Sequence, residues 1–209
     1  MSTKEKIIAC AISYFNREGL MSASMRGIAK ACGITLSNLQ YYFATKDKLV
    51  ETIFDEMGLV YEGMADFAKS GISLQLLLDM NSIQFEFQKK YIFYFTQLNA
   101  ILQAFPGVRK KYLRMKTKRV KEYLDLFNAY SKAGLFIPEP YEGFFRNQAE
   151  LLWFMGNYYL SSQLCEGKKA NRKTFDESNK VAADVIYKML SEKGIFEMMK
   201  LIKDKGIVF

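Results

Sequence analysis

The sequence contains no histidine. Without imidazole it cannot build a Ser-His-Asp triad, a Cys-His pair, a His-bearing zinc site or a histidine switch near neutral pH, so most hydrolase and metalloenzyme readings fall. Cysteine is scarce as well. Cys10, Cys32 and Cys165 are odd in number, far apart and without a CxxC, which supports neither a disulfide framework nor a zinc ribbon and points to a reducing cytoplasm. No metal and no cofactor is expected. Proline occurs three times, twice in IPEP at 137–140, and no alternating Val- or Thr-rich runs occur, so the chain is expected to be all-α. Membrane signals are also missing. The stretch Tyr91–Val108 is eighteen residues without a charge, close to a bilayer-spanning length, but Thr96, Gln97, Asn99, Gln103 and Pro106 make it a buried helix ended by proline. The start, MSTKEKIIAC, runs into Asn16, Arg17 and Glu18 with no small-residue cleavage site, so it does not read as a signal peptide.

What is present is basic charge. Thirty Lys and Arg against twenty-two Asp and Glu leave a net charge of +8 over 209 residues, which favours a polyanionic partner. Residues 1–48 carry seven bases and three acids, and Arg109–Lys121 carries eight bases and no acid. Gly and Pro punctuate helical periodicities. A first helix from Thr3 to Glu18 buries Ile7, Ile8, Ala11, Ile12 and Phe15 and stops at Gly19; a second, capped by Ser24, puts Met25, Ile28, Ala29 and Cys32 on one face. Gly33 ends it. Thr35 caps a short third helix with Leu36, Leu39 and Phe43 facing inward, and a fourth starts after Thr45.

Residues 25–43, MRGIAKACGITLSNLQYYF, therefore read as a helix-turn-helix: Ala29 is small where two helices cross, Gly33 makes the turn, and Leu39 pins the second helix. Ser37, Asn38, Gln40 and Tyr41 point outward from that helix, with groups that can meet base edges in a major groove. A plain helical hairpin with a polar surface is the alternative that spacing alone leaves open.

From Ile7 to Leu49 the sequence resembles the DNA-binding domain of the TetR/AcrR family of bacterial regulators, on Phe15, Gly19, Ile28-Ala29, Gly33, Leu39, Phe43 and Lys46. The resemblance implies that Thr35, Ser37, Asn38, Gln40 and Tyr41 lie at or near bases, while Ser24, Tyr42 and Lys46 hold phosphates. Gln40 departs from the family, which usually has tyrosine there; a glutamine could read adenine bidentately. The resemblance also implies a helical dimerisation and ligand-binding domain beyond the first, dividing the chain into 1–48 and 49–209.

In that second part, the run at 109–121 reads as a solvated face on a core helix, and Tyr112 with Lys116 forms a chance YxxxK pair with no glycine-rich turn to hold a dinucleotide. The segment Gln148–Cys165 is apolar all round and must be covered all round. A homodimer interface is expected from Leu152, Met155 and Tyr159 with Ala182, Val185, Ile186 and Met189. Phe85, Phe93, Gln97, Leu102, Gln103, Trp153, Asn157 and Tyr158 are expected to line a pocket for a lipophilic small-molecule effector, because amides in apolar stretches need partners. The resulting expectation is a non-enzymatic, cytoplasmic, homodimeric repressor on double-stranded DNA, without membrane contact. The rival reading is a helical small-molecule-sequestering protein with a vestigial helix-turn-helix.

Overall fold

Caps and breakers set the helix ends in a computed structural model that describes residues 2–69 and 73–205. Ten helices lie among the described residues: α1 (Thr3–Glu18), α2 (Met25–Ala31), α3 (Leu36–Tyr42), α4 (Lys46–Lys69), α5 (Gln75–Lys90), α6 (Ile92–Ala104), α7 (Pro106–Lys132), α8 (Phe144–Cys165), α9 (Arg172–Tyr187) and α10 (Glu192–Lys205). No strand occurs among them. An isolated antiparallel bridge joins Phe136 and Leu190. The all-α expectation holds, and Pro106 opens α7, where its fixed φ and missing N–H cost nothing.

The chain packs into two compact units, one reaching to Tyr61 and including Phe87–Met115, the other made of Glu62–Glu86 and of the chain from Lys116 onward. The first unit thus takes in α6, which the sequence division at 48/49 places with the rest of the chain. The physical reason is cover for apolar surface: Phe15 of α1 is fully buried and meets Phe93 of α6 edge-on at 5.4 Å, and Phe54 of α4 meets Tyr94 in the same way at 5.4 Å. α1 buries the five residues that its periodicity predicts, and Ser2 and Glu5 close a capping box at its start.

Two polar ties reinforce this packing. Tyr91, the N-cap of α6, makes no side-chain cap, but Asn16 of α1 supplies one: its Oδ1 accepts from the Phe93 N–H at 3.1 Å while its Nδ2 donates to the Lys90 carbonyl at 2.8 Å. Gln97 Oε1 accepts from the Met21 N–H at 3.2 Å. Asn16→Ala should lower stability by about 1–2 kcal/mol, the loss of a helix cap. Urea unfolding of the variant beside the parent measures this.

Cys10 and Cys32 form a disulfide, with Cα atoms 5.7 Å apart, which corrects the reading of three unrelated cysteines. Spacing along the chain was no guide, because the bond is made by the crossing of α1 over the end of α2. Closing a loop over a separation of 22 residues stabilises the folded state by about 3 kcal/mol. Cys165 is free and exposed.

The second unit has an aromatic core. Phe127 lies 5.8 Å from Phe136 and 6.0 Å from Phe145, and Phe85 meets Phe175 edge-on at 5.1 Å. Tyr130, fully buried, donates its phenol to the Ser73 carbonyl at 2.9 Å, and burial pushes that phenol up to about 12. An unfolded tyrosine loses its proton near pH 10. Between about pH 10 and 12 the unfolded chain is therefore deprotonated where the folded one is not, and stability present below that range falls by about 2–3 kcal/mol as pH rises. Denaturation at pH 9, 10, 11 and 12 should show a shallower alkaline loss in Tyr130→Phe.

Candidate nucleic-acid interface

The helix-turn-helix is held from inside by few residues. Ile28 and Ala29 of α2 and Leu39 of α3 are buried, and Phe43 is buried just past α3. Between the two helices Gly33 takes φ +66°, a left-handed conformation that glycine reaches without strain, and the Ile34 N–H donates to the Ala29 carbonyl at 3.0 Å. The turn aims the other face of α3 outward. Ser37, Asn38, Gln40 and Tyr41 are all exposed, Tyr41 at 83%. No described residue hydrogen-bonds the side chains of Asn38 or Gln40, so both amides are free to meet a partner from solvent.

The cap residues have two jobs. Ser24 Oγ accepts from the Gly27 N–H at 3.1 Å, and Thr35 Oγ1 accepts from the Asn38 N–H at 3.1 Å while lying 3.1 Å from Ser37 Oγ. Both residues are exposed, and accepting a helix N–H leaves the Ser24 hydroxyl its own proton to donate, while the Thr35 and Ser37 hydroxyls share one hydrogen bond between them. Tyr42 is half-buried and meets Tyr41 edge-on at 5.1 Å. Lys46, in the first turn of α4, is half-buried: its Nζ donates to the Met21 carbonyl at 3.4 Å and lies 5.8 Å from the Phe105 ring centre. Burial holds its ammonium below the usual lysine value, offset in part by Asp47. The eight residues expected on DNA thus belong to one unit and cluster around one short exposed helix. Asn16, Gln97 and the Cys10–Cys32 bond support that cluster. The sequence gives no sign of any of these ties, whose partners stand 22 to 77 residues apart.

The residues expected at a ligand are divided between the units. Phe93, Gln97, Leu102 and Gln103 lie in the first, where Phe93 is core, Gln97 is tied to Met21 and Gln103 is exposed. Phe85, Trp153, Asn157 and Tyr158 lie in the second. Trp153 and Asn157 are buried, and Asn157 Nδ2 donates to the Trp153 carbonyl at 2.8 Å. Of the amides expected at the ligand, Gln97 is half-buried, Gln103 is exposed and Asn157 is buried.

Of the residues expected at a dimer interface, Met155 of α8, Val185 of α9 and Met189 just past α9 are buried within the chain, and Leu152, Tyr159, Ala182 and Ile186 are half-buried. The exposed large side chains are Leu151, Phe154, Val181 and Tyr187, with Tyr158 stacked on Phe154 at 5.3 Å. A helix apolar on every side does not itself say which side is left over. In the basic run, Lys111 pairs with Asp55 at 2.7 Å and Lys116 with Glu150 at 2.7 Å.

Among the described residues no group of His, Cys, Asp or Glu could hold a metal ion, and no helix is long and apolar enough to cross a membrane. Comparison with known proteins matches residues 7–53 to the profile of bacterial regulatory proteins of the tetR family and residues 59–199 to that of the TetR bacterial transcriptional repressor. A probable HTH-type transcriptional regulator, YttP of Bacillus subtilis, is 28% identical over 149 residues, 68% of this chain and 72% of the relative. Among solved structures, a TetR-family transcriptional regulator from Marinobacter aquaeolei superposes with a TM-score of 0.83 at 20% identity over 98% of both chains. A putative transcriptional regulator from Saccharomonospora viridis in complex with choline gives 0.74 at 15% identity over 90% of this chain and 98% of that one.

Proposed function

Because the chain belongs to the TetR family of bacterial transcriptional regulators, DNA-binding proteins and not enzymes, we propose that it is a homodimeric repressor released from its operator by a lipophilic small molecule. The observation that carries the reading is the exposed face of α3, where Ser37, Asn38, Gln40 and Tyr41 stand clear of the fold while Leu39 anchors the helix from beneath. Asn38 and Gln40 read base edges. Thr35, Ser37 and Tyr41 lie at or near the bases beside them, and Ser24, Tyr42 and Lys46 position the helix on phosphates. The dimer forms through Leu151, Phe154, Val181 and Tyr187, whose exposure in one chain leaves an apolar surface to be covered. Two-fold symmetry of the protein then imposes a pseudo-palindromic site with half-sites about 34–36 Å apart. For the effector, the second unit offers Phe85, Trp153, Asn157 and Tyr158; the choline held by a protein of the same fold supports a small organic effector, neutral or cationic.

Selection of bound duplexes from a random pool tests the reading. The recovered sequences should share a pseudo-palindrome. Gln40→Ala or Asn38→Ala should relax discrimination at one position by roughly 1–3 kcal/mol, and Lys46→Ala should weaken all sequences alike and flatten the salt slope by about one. An unchanged selection from Gln40→Ala would remove it as a base reader.

A further inference from the structure

The Cys10–Cys32 bond sits at a sensitive place in the first unit. Cys10 lies on α1 and Cys32 is the C-cap of α2, directly before Gly33 and the turn into α3. The bond therefore reaches the recognition helix within four residues: Cys32, Gly33, Ile34 and the cap Thr35. Besides the bond, this stretch is held by backbone hydrogen bonds from Cys32 to Ile28 and from Ile34 to Ala29, and by the two buried side chains of the seven-residue α2, Ile28 and Ala29. Both cysteines are half-buried rather than sealed in the core. Their Cα separation of 5.7 Å lies at the usual value for a disulfide, so the bond can form on this backbone.

We propose that Cys10 and Cys32 form a reversible thiol–disulfide site by which an oxidant, a hydroperoxide by class, tightens DNA binding. One thiolate attacks the outer oxygen of the hydroperoxide, the O–O bond breaks, an alcohol leaves, and the cysteine becomes a sulfenic acid. The other thiol displaces its hydroxyl as water, forming the S–S bond; two thiols and ROOH become a disulfide, ROH and H2O. A dithiol reductant reverses the change by giving two electrons and two protons and becoming a disulfide itself. The oxidised state holds the end of α2 on α1 and keeps the turn in the geometry that presents α3. Reduction lets this end of α2 fluctuate, so that a smaller fraction of molecules is ready to dock. The inference rests on the reading of α3 as the helix on bases.

The test uses the full chain carrying Cys165→Ser, which prevents intermolecular bonds through the exposed third cysteine. Duplexes are selected with the oxidised protein. Binding is then measured after treatment with cumene hydroperoxide and after dithiothreitol, with intact mass and thiol labelling to score the bond. The oxidised form should bind about three- to tenfold more tightly, melt at a higher temperature, and exchange the amides of Cys32–Thr35 more slowly. Cys32→Ser should bind like the reduced parent and ignore the oxidant. Equal binding by the two forms, weaker binding after oxidation, or thiols that persist under hydroperoxide would each overturn the proposal. The main comparison is between two redox states of one polypeptide, so it does not depend on a variant that fails to fold. Failure of the selection itself would instead reject α3 as the base reader.

Discussion

Phe15→Ala should lower stability by about 3–5 kcal/mol and abolish duplex binding at ordinary temperature. The ring is fully buried and stands at the centre of the first unit, edge-on to Phe93 at 5.4 Å, with Ile12 and Ala11 buried beside it on the same helix. Truncation removes the transfer free energy of a benzyl group and leaves a cavity that rigid helices fill poorly. It also strips α6 of its cover on α1. Guanidinium unfolding followed by circular dichroism reads the first effect, and titration of a selected duplex reads the second. Phe15→Leu should recover much of both, because most of the volume returns. If alanine cost less than about 1 kcal/mol, α1 and α6 would not form one core.

Phe154→Glu should convert the proposed dimer into a monomer of 24.2 kDa that still folds. Phe154 is 57% exposed in the single chain, so a carboxylate there stays hydrated in the monomer and loses its water only if a second copy covers it. Met155→Glu makes the contrast: its site is 5% exposed, and a charge placed there should unfold the protein instead. Light scattering separates monomer from dimer, and thermal melting separates folded from unfolded. Duplex affinity should fall by about a hundredfold or more in Phe154→Glu, since one half-site no longer holds the other near its partner. An intact dimer in that variant would move the interface off this face.

Local features were legible in the sequence. Gly19, Gly33 and Pro106 end or begin helices as their chemistry requires, Ser24 and Thr35 cap where predicted, and Leu39 faces in while Asn38 and Gln40 face out. Each depends on neighbours within a turn or two. What the sequence hid was pairing over distance. Asn16 stands in an ordinary amphipathic helix, and nothing around it shows that its amide will cap a helix 77 residues away. Gln97, expected at a ligand because an amide in an apolar run needs a partner, has its Oε1 on the Met21 N–H, a partner 76 residues away. On α8 the apolar residues are too many for periodicity to choose among them. Only packing distinguishes buried Met155 from exposed Phe154.

The make-up of the first unit has a consequence for its birth on the ribosome. Its two pieces, up to Tyr61 and Phe87–Met115, are separated by a segment that packs elsewhere, so the unit cannot close until Met115 has left the exit tunnel. At about 5–20 residues per second, the stretch from Tyr61 to Met115 takes several seconds to make. Through that interval the apolar side of α1 that Phe93 will cover lies open, and the nascent chain offers a binding surface to chaperones. Formation of the Cys10–Cys32 bond needs only the earlier piece and can precede closure.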